Sequence, residues 1–235
     1  MKLNYHLLKI NSNKMIKIKN YDKEKQKISF ITDMPISLAN AIRRGVLEIP
    51  IMAVNEVEIS KNDSALYDEI IAHRIGLIPI KTSKTIKETK FKLKEKGPKT
   101  VYSTDITPST GIDYKLPIVI LDEEQEIQIV GNADLGKGIE HIKYSPRLIY
   151  YSYNLEPEIL DFVNVDEKGK ISYDEKELKN KELSEEQRNK IQKTTKVEEL
   201  VFNIESWKQI EVKDIFLRAI EALDSNLSEL RKAVK

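Results

Sequence analysis

At 235 residues, with 40% hydrophobic and 33% charged residues, the chain can bury a core as one large or two small domains beneath a heavily charged surface. Lys plus Arg (39) nearly cancels Asp plus Glu (38), so no global charge draws it to nucleic acid or to an anionic membrane. The absence of Cys excludes disulfides, thiolate metal sites, cysteine nucleophiles and cysteine-held iron–sulfur clusters, and three scattered histidines (His6, His73, His141) make a poor zinc site.

The first elements are two alternating runs, KMIKIKN (14–20) and QKISFIT (26–32), around the polar break Tyr21-Asp22-Lys23-Glu24, which predicts a hairpin. Asp33 then suits a helix N-cap, with Pro35 tolerated in the first turn of a helix running to about Glu48 and ended by Pro50. On it Leu38, Ala39, Ile42 and Val46 share one face, and Arg43 and Arg44 lie beside that face. VNEVEIS (54–60) alternates as a strand, and ALYDEIIAHRIGLIPI (65–80) opens with helical spacing until Gly76 and Pro79 stop it. The lysine-rich stretch 81–99 alternates in its second half like an exposed strand, and TVYSTDI (100–106), LPIVIL (116–121) and EIQIVGNADLG (126–136) read as further strands. Residues 155–195 are polar and read as a loop or an exposed helix. ELVFNIES (199–206) is a strand. On the final helix, about 211–233, Phe216, Ile220, Leu223, Leu227, Leu230 and Val234 step by 4, 3, 4, 3, 4, a coiled-coil-like seam covered either by the chain itself or by a partner helix.

Catalytic constellations are missing. There is no phosphate-binding GxxxxGK[ST] loop and no GxSxG elbow, and Gly136-Lys137-Gly138 reads as a turn. Glu69 and His73 stand four apart on one helical face beside Asp68, which suits a surface hydrogen bond better than a metal site lacking further ligands. Asp122-Glu123-Glu124 reads as a solvated turn rather than part of a two-metal acidic cluster. Eight lysines against two glutamates in 81–99 read as a solvated edge strand protected from edge pairing; the alternative is a free-standing nucleic-acid-binding protein that uses them on phosphates. No apolar run nears the roughly 18 residues of a membrane span, and MKLNYHLLKINSNKM lacks the apolar core of a signal peptide, so a cytoplasmic protein is expected.

Longer blocks carry a resemblance. PISLANAIRRGVLEIPIMAVNEVEI (35–59) followed by SALYDEIIAHRIGLIPIKT (64–82) resembles the signature of the D-type assembly subunit of archaeal DNA-directed RNA polymerase. It is also similar to the third-largest subunit of eukaryotic polymerase II and, more distantly, to the bacterial alpha subunit. GPKTVYSTDI (97–106), LPIVIL (116–121), GNADLGKGIEHIKYSPRLIYY (131–151) and VFNIESW (201–207) continue the same order.

That resemblance implies a two-part α+β fold: a discontinuous dimerisation domain from 1–50 with 196–235, an inserted β-rich domain at 51–154, and at 155–195 a shortened remnant of the region that holds a ferredoxin-like domain in many relatives. It implies a non-catalytic subunit that pairs with small subunit L, joins small subunits N and P, and forms the platform for the second-largest and largest catalytic subunits, with DNA met only through the complex. Leu38, Ala39, Ile42, Val46, Phe216, Ile220, Leu223, Leu227 and Leu230 would form the dimer interface, Arg43 and Arg44 would reach a large subunit, and Tyr67, Asp68, Glu69, His73 and Arg74 would be insert-domain surface. Without cysteine in 155–195, or in TSKTIKETK (82–90) where relatives have a cysteine-rich loop, no cluster or metal cofactor is expected.

Overall fold

A computed structural model describes residues 16–83, 88–146, 148–156, 161–166, 169–174, 185, 188–189, 191, 197 and 199–234. Its elements in chain order begin with β1 (Lys17–Asp22), β2 (Lys27–Thr32), α1 (Ile36–Gly45), β3 (Ile51–Asn62), α2 (Asp68–Gly76), β4 (Glu88–Lys96), β5 (Lys99–Tyr102) and β6 (Pro117–Leu121). They continue with β7 (Glu126–Gly136), β8 (Ile149–Tyr153), β9 (Asn164–Val165), β10 (Ile171–Ser172), β11 (Leu200–Glu205) and α3 (Val212–Ala233). Helix and sheet are mixed, as an α+β reading requires. Two compact units divide the chain: 1–23, 27–41 and 149–204 form one, and 24–26, 42–148 and 205–235 the other.

In the first unit, β1 and β2 pair antiparallel, with Lys17 opposite Ile31 and Asp22 opposite Lys27. The turn falls at 23–26, later than the Tyr21–Glu24 break, because Tyr21 and Asp22 still pair with Ile28 and Lys27. The sheet runs in the order β1-β2-β11-β8. Its centre is Phe202, fully buried, with Phe30 stacked on it at 5.4 Å between ring centroids and Tyr151 tilted against it at 5.6 Å. Ser29 Oγ donates to Asn203 Oδ1 at 2.6 Å, fixing β2 to β11 on a partly buried flank. Residues 155–195 are expected to be loop or exposed helix; among those described, Glu185, Arg188, Asn189 and Ile191 are helical, and β9 and β10 form a small antiparallel ribbon. Ile191 is buried beside Phe162, Val163 and Tyr173 as a satellite core.

The second unit is built on a three-stranded antiparallel sheet in the order β3-β7-β4. β3 is longer than the alternating VNEVEIS run because Ile51, Met52, Ala53 and Val54, all buried, belong to it and hide the period of two. On β4, Phe91 and Leu93 point to the core while Lys90, Lys92, Lys94 and Lys96 face solvent. β4 is an edge strand, closed only locally where Lys92 and Thr107 exchange backbone bonds of 2.6 and 2.8 Å. α2 lays Ile71 and Ile75 into the core that includes Met52, Val54, Leu93 and Ile118. Asp68 and Glu69 lie in its first turn and His73 and Arg74 in its last, the arrangement that the helix dipole favours. Beside this sheet, β5 and β6 form an antiparallel ribbon.

α1 begins at Ile36, not near Asp33: the first helical bond runs from Ala39 N–H to the carbonyl of Pro35, so Pro35 stands just outside the helix. α3 also starts without a cap from its own flank, since Glu211 makes no side-chain capping bond. Gln26 supplies it instead, with Oε1 accepting Val212 N–H at 2.9 Å.

Candidate functional site

α3 carries two apolar stripes. Val212, Ile215 and Ala219 are buried in the chain's own packing. Ala219 lies against Gly45, where a Cβ would stand 3.0 Å from the Ala219 carbonyl oxygen, close enough that the backbone would have to give by a few tenths of an ångström. The 4-3-4 seam begins one residue after the buried stripe, which rotates it by roughly 100° about the helix axis. Phe216, Ile220 and Leu223 on this seam are half-buried, and beyond them Leu227 is 56% and Leu230 61% exposed. The seam therefore opens progressively toward the C-terminal end of the helix, and its last two turns offer leucine to solvent.

Against α3's other flank, Lys137 Nζ meets Glu48 Oε2 at 3.0 Å. That hydrogen bond, with the attraction of the carboxylate, raises the Lys137 ammonium above its ordinary value. The groove it borders also takes in Arg218, Glu221 and Glu229, so this side of the helix is polar.

On α1, Ala39 and Ile42 are buried, as is Val46 in the 3₁₀ turn that follows, whereas Leu38 is 42% exposed. Of the four apolar residues that the sequence placed on one face, Leu38 alone offers surface, and the other three pack within the chain. Arg43 is half-buried and Arg44 exposed, both in the last turn of the helix.

The α2 surface is polar and open. Tyr67 precedes the helix with its side chain exposed, and its carbonyl accepts the Ile70 and Ile71 N–H groups at 3.1 and 3.2 Å. Asp68 Oδ1 accepts Asn62 Nδ2 at 2.7 Å, and Arg74 Nη1 donates to the Ile118 carbonyl at 2.6 Å. Glu69 is exposed. His73 borders a small hollow with His141, Leu77 and Lys143. Near it Tyr144 donates from its hydroxyl to Asp134 Oδ1 at 2.7 Å, Asn55 Nδ2 reaches Asp134 Oδ2 at 3.0 Å, and Lys143 Nζ reaches Asn55 Oδ1 at 2.9 Å. Burial first, and then the bond to Asp134, hold the Tyr144 hydroxyl protonated well above its ordinary range. No group of three or more potential metal ligands occurs among the described residues, and no described helix is long and apolar enough to cross a membrane.

α3 thus keeps one stripe packed within the chain and leaves a second half-buried to exposed. Residues 30–227 match the family model of the RNA polymerase Rpb3/Rpb11 dimerisation domain. The chain belongs to this family, and transcription by DNA-directed RNA polymerase is the process its members serve. It is 38% identical over 189 residues to the DNA-directed RNA polymerase subunit Rpo3 of Pyrococcus horikoshii, covering 73% of each chain. It is 40% identical over 156 residues to the Rpo3 of Thermococcus kodakarensis, covering 59% of this chain and 60% of that one. With the Rpo3 of Methanocaldococcus jannaschii it shares 41% identity over 157 residues, 63% of this chain and 82% of the other.

Proposed function

We propose that this chain is a non-catalytic assembly subunit of an archaeal-type DNA-directed RNA polymerase, equivalent to its D-type subunit and counterpart of the bacterial alpha subunit and of the third-largest eukaryotic subunit. The observation that carries this reading is the open seam of α3 within a region that matches a dimerisation domain. Exposed leucines spaced 3 and 4 apart on a terminal helix are costly to leave in water, each worth about 1.5–3 kcal/mol when fully covered. The natural occupant is a helix of a second subunit bearing the same domain, the role of small subunit L.

In this reading the partner-facing residues are Leu38, Phe216, Ile220, Leu223, Leu227 and Leu230, with Ala39, Ile42 and Val46 on the packed side of α1 and the turn after it. The ends 1–50 and 196–235 make the dimerisation domain, a grouping supported by Gln26 bonding to Val212 across 186 positions. The 51–154 stretch, whose residues from Met52 to Ala133 build a core around β3, β7 and β4, is the inserted domain, and 155–195 is the shortened remnant. The pair, with small subunits N and P, is the platform for the second-largest and then the largest subunit; nucleotidyl transfer belongs to those two. Arg43 and Arg44 reach one large subunit, and the α2 surface at Tyr67, Asp68, Glu69, His73 and Arg74 faces another subunit. The chain needs no cofactor, meets duplex DNA through the complex in its assembly role and works in the cytoplasm.

The test is solution mass by light scattering, for the chain alone and after co-expression with subunit L of the same organism. A stable one-to-one heterodimer lost on Leu223→Asp is expected. A well-behaved monomer indifferent to subunit L overturns the reading.

A further inference from the structure

The lysine run at 81–99 does not interleave aromatics with its charges, because Phe91 faces the core. The second unit assembles such a surface elsewhere, from three segments far apart in sequence. Thr82 N–H bonds to the Gln209 carbonyl at 2.8 Å, Lys81 N–H to the Thr110 carbonyl at 2.9 Å, and Ser103 N–H to the Leu116 carbonyl at 2.8 Å. These bonds gather Lys81, Tyr102, Tyr114, Lys115, Trp207 and Lys208 into one neighbourhood.

The side chains are ordered against one another. Trp207, 44% exposed, meets Tyr114 edge to face at 6.5 Å and 87°. Lys208 Nζ lies 5.2 Å from the Tyr114 ring centroid, and Lys115 Nζ lies 4.3 Å from that of Tyr102. Lys208 sits at φ 68, a left-handed conformation unusual for a residue with a side chain, and its N–H is held by Ser206 Oγ at 3.1 Å. Lys81 and Lys115 are exposed and Lys208 is half-buried, with Asp113 and Glu211 the exposed acids of the same segments. An exposed indole held by a half-buried tyrosine and flanked by cations is what a nucleic acid strand needs to stack a base and neutralise its phosphates.

We propose that this surface binds single-stranded nucleic acid without sequence preference, with a base stacking on Trp207 and Lys81, Lys115 and Lys208 taking phosphates. A paired duplex hides its base faces and is the poorer ligand. The proposal goes beyond the assembly role and does not depend on it.

Trp207 is the single tryptophan of the chain, so it reports from the site itself. The full chain, bound to its dimerisation partner where it has one, is titrated with fluorescein-labelled oligothymidylate and oligouridylate. Trp207→Phe provides the fluorescence background. Anisotropy should rise while tryptophan emission falls in parallel. Three phosphate contacts predict a log–log salt slope of about −2. The Lys115→Glu/Lys208→Glu double variant should weaken binding about tenfold or more, and Trp207→Ala about fivefold or more, each with an unchanged circular dichroism spectrum. No anisotropy change at low salt overturns the proposal, as does binding that leaves Trp207 emission untouched, which moves the contact to the β4 lysines. Emission that responds to the large polymerase subunits but not to oligonucleotide overturns it too, and makes the surface a protein contact. None of these failures bears on heterodimer mass, which tests the assembly role separately.

Discussion

Gln26 Oε1 accepts the backbone N–H of Val212 at 2.9 Å, and its Nε2 donates to Glu211 Oε2 at 3.2 Å, so one buried glutamine closes the start of α3. Its own carbonyl accepts Ser206 N–H at 2.9 Å, which ties the residue on both sides. A helix start has N–H groups with no helical acceptor, and a buried one must find partners elsewhere. Truncation by Gln26→Ala should therefore lower the unfolding free energy by about 1–2 kcal/mol, read as a lower urea midpoint at unchanged m-value. An unaltered midpoint would mean that water replaces the glutamine at no cost.

The two stripes of α3 should separate folding from pairing. Leu227→Asp and Leu230→Asp change exposed positions, so the isolated chain should keep its stability within about 0.5 kcal/mol while its affinity for the partner falls about 30-fold or more. Ala219→Asp, by contrast, places a charge against Gly45 and should unfold the chain, at a cost above about 4 kcal/mol. Calorimetric titration of the partner into each variant distinguishes them; equal loss of folding from Leu230→Asp would make the seam internal.

These stripes also show how far the sequence carries. The seam was readable because large residues repeat every 3 and 4 positions, but the stripe that packs internally ends on Ala219, too small to announce itself in a hydrophobic pattern. The same limit made Ala39, Ile42 and Val46 look equivalent to Leu38, although burial separates them. The hairpin, the β7 strand and the extent of α3 were all visible from local period. The start of α1 was not, because a proline carbonyl rather than the Asp33 side chain takes its first bond. The opening of β3 was hidden by four consecutive buried residues. Bonds such as Gln26 to Val212, and the meeting of Tyr114 with Trp207, depend on chain return and leave no local trace.

Tyr144 gives a pH signature. Its hydroxyl donates to Asp134, and burial together with that bond raises its ionisation above the ordinary value of 10.0. A group whose folded value is raised adds stability that is complete below its unfolded value and is lost as pH climbs toward the folded one. Unfolding midpoints should therefore fall above pH about 10, and Tyr144→Phe should be less stable at pH 8 yet lose less over the alkaline range. Parallel pH curves for the two proteins would remove Tyr144 from that loss. The ring also lies over Gly136, leaving no room for a Cβ, so Gly136→Ala should cost about 1–3 kcal/mol by displacing it.

On the α2 surface, Arg74 and Tyr67 should respond differently to truncation. Arg74 Nη1 holds the Ile118 carbonyl at 2.6 Å and thereby joins the helix to β6, so Arg74→Ala should lower stability by about 1–2 kcal/mol whatever the chain assembles with. Tyr67 is 81% exposed, and Tyr67→Ala should leave stability within about 0.5 kcal/mol. A large ring standing in water at the mouth of a helix is the kind of anchor that interfaces draw on, since it buries much area for the loss of two torsions. When polymerase is reconstituted from its subunits, Tyr67→Ala should form the heterodimer normally but recover less of one further subunit. Full recovery of every subunit would take Tyr67 out of the assembly surface while leaving the seam of α3 as the pairing element.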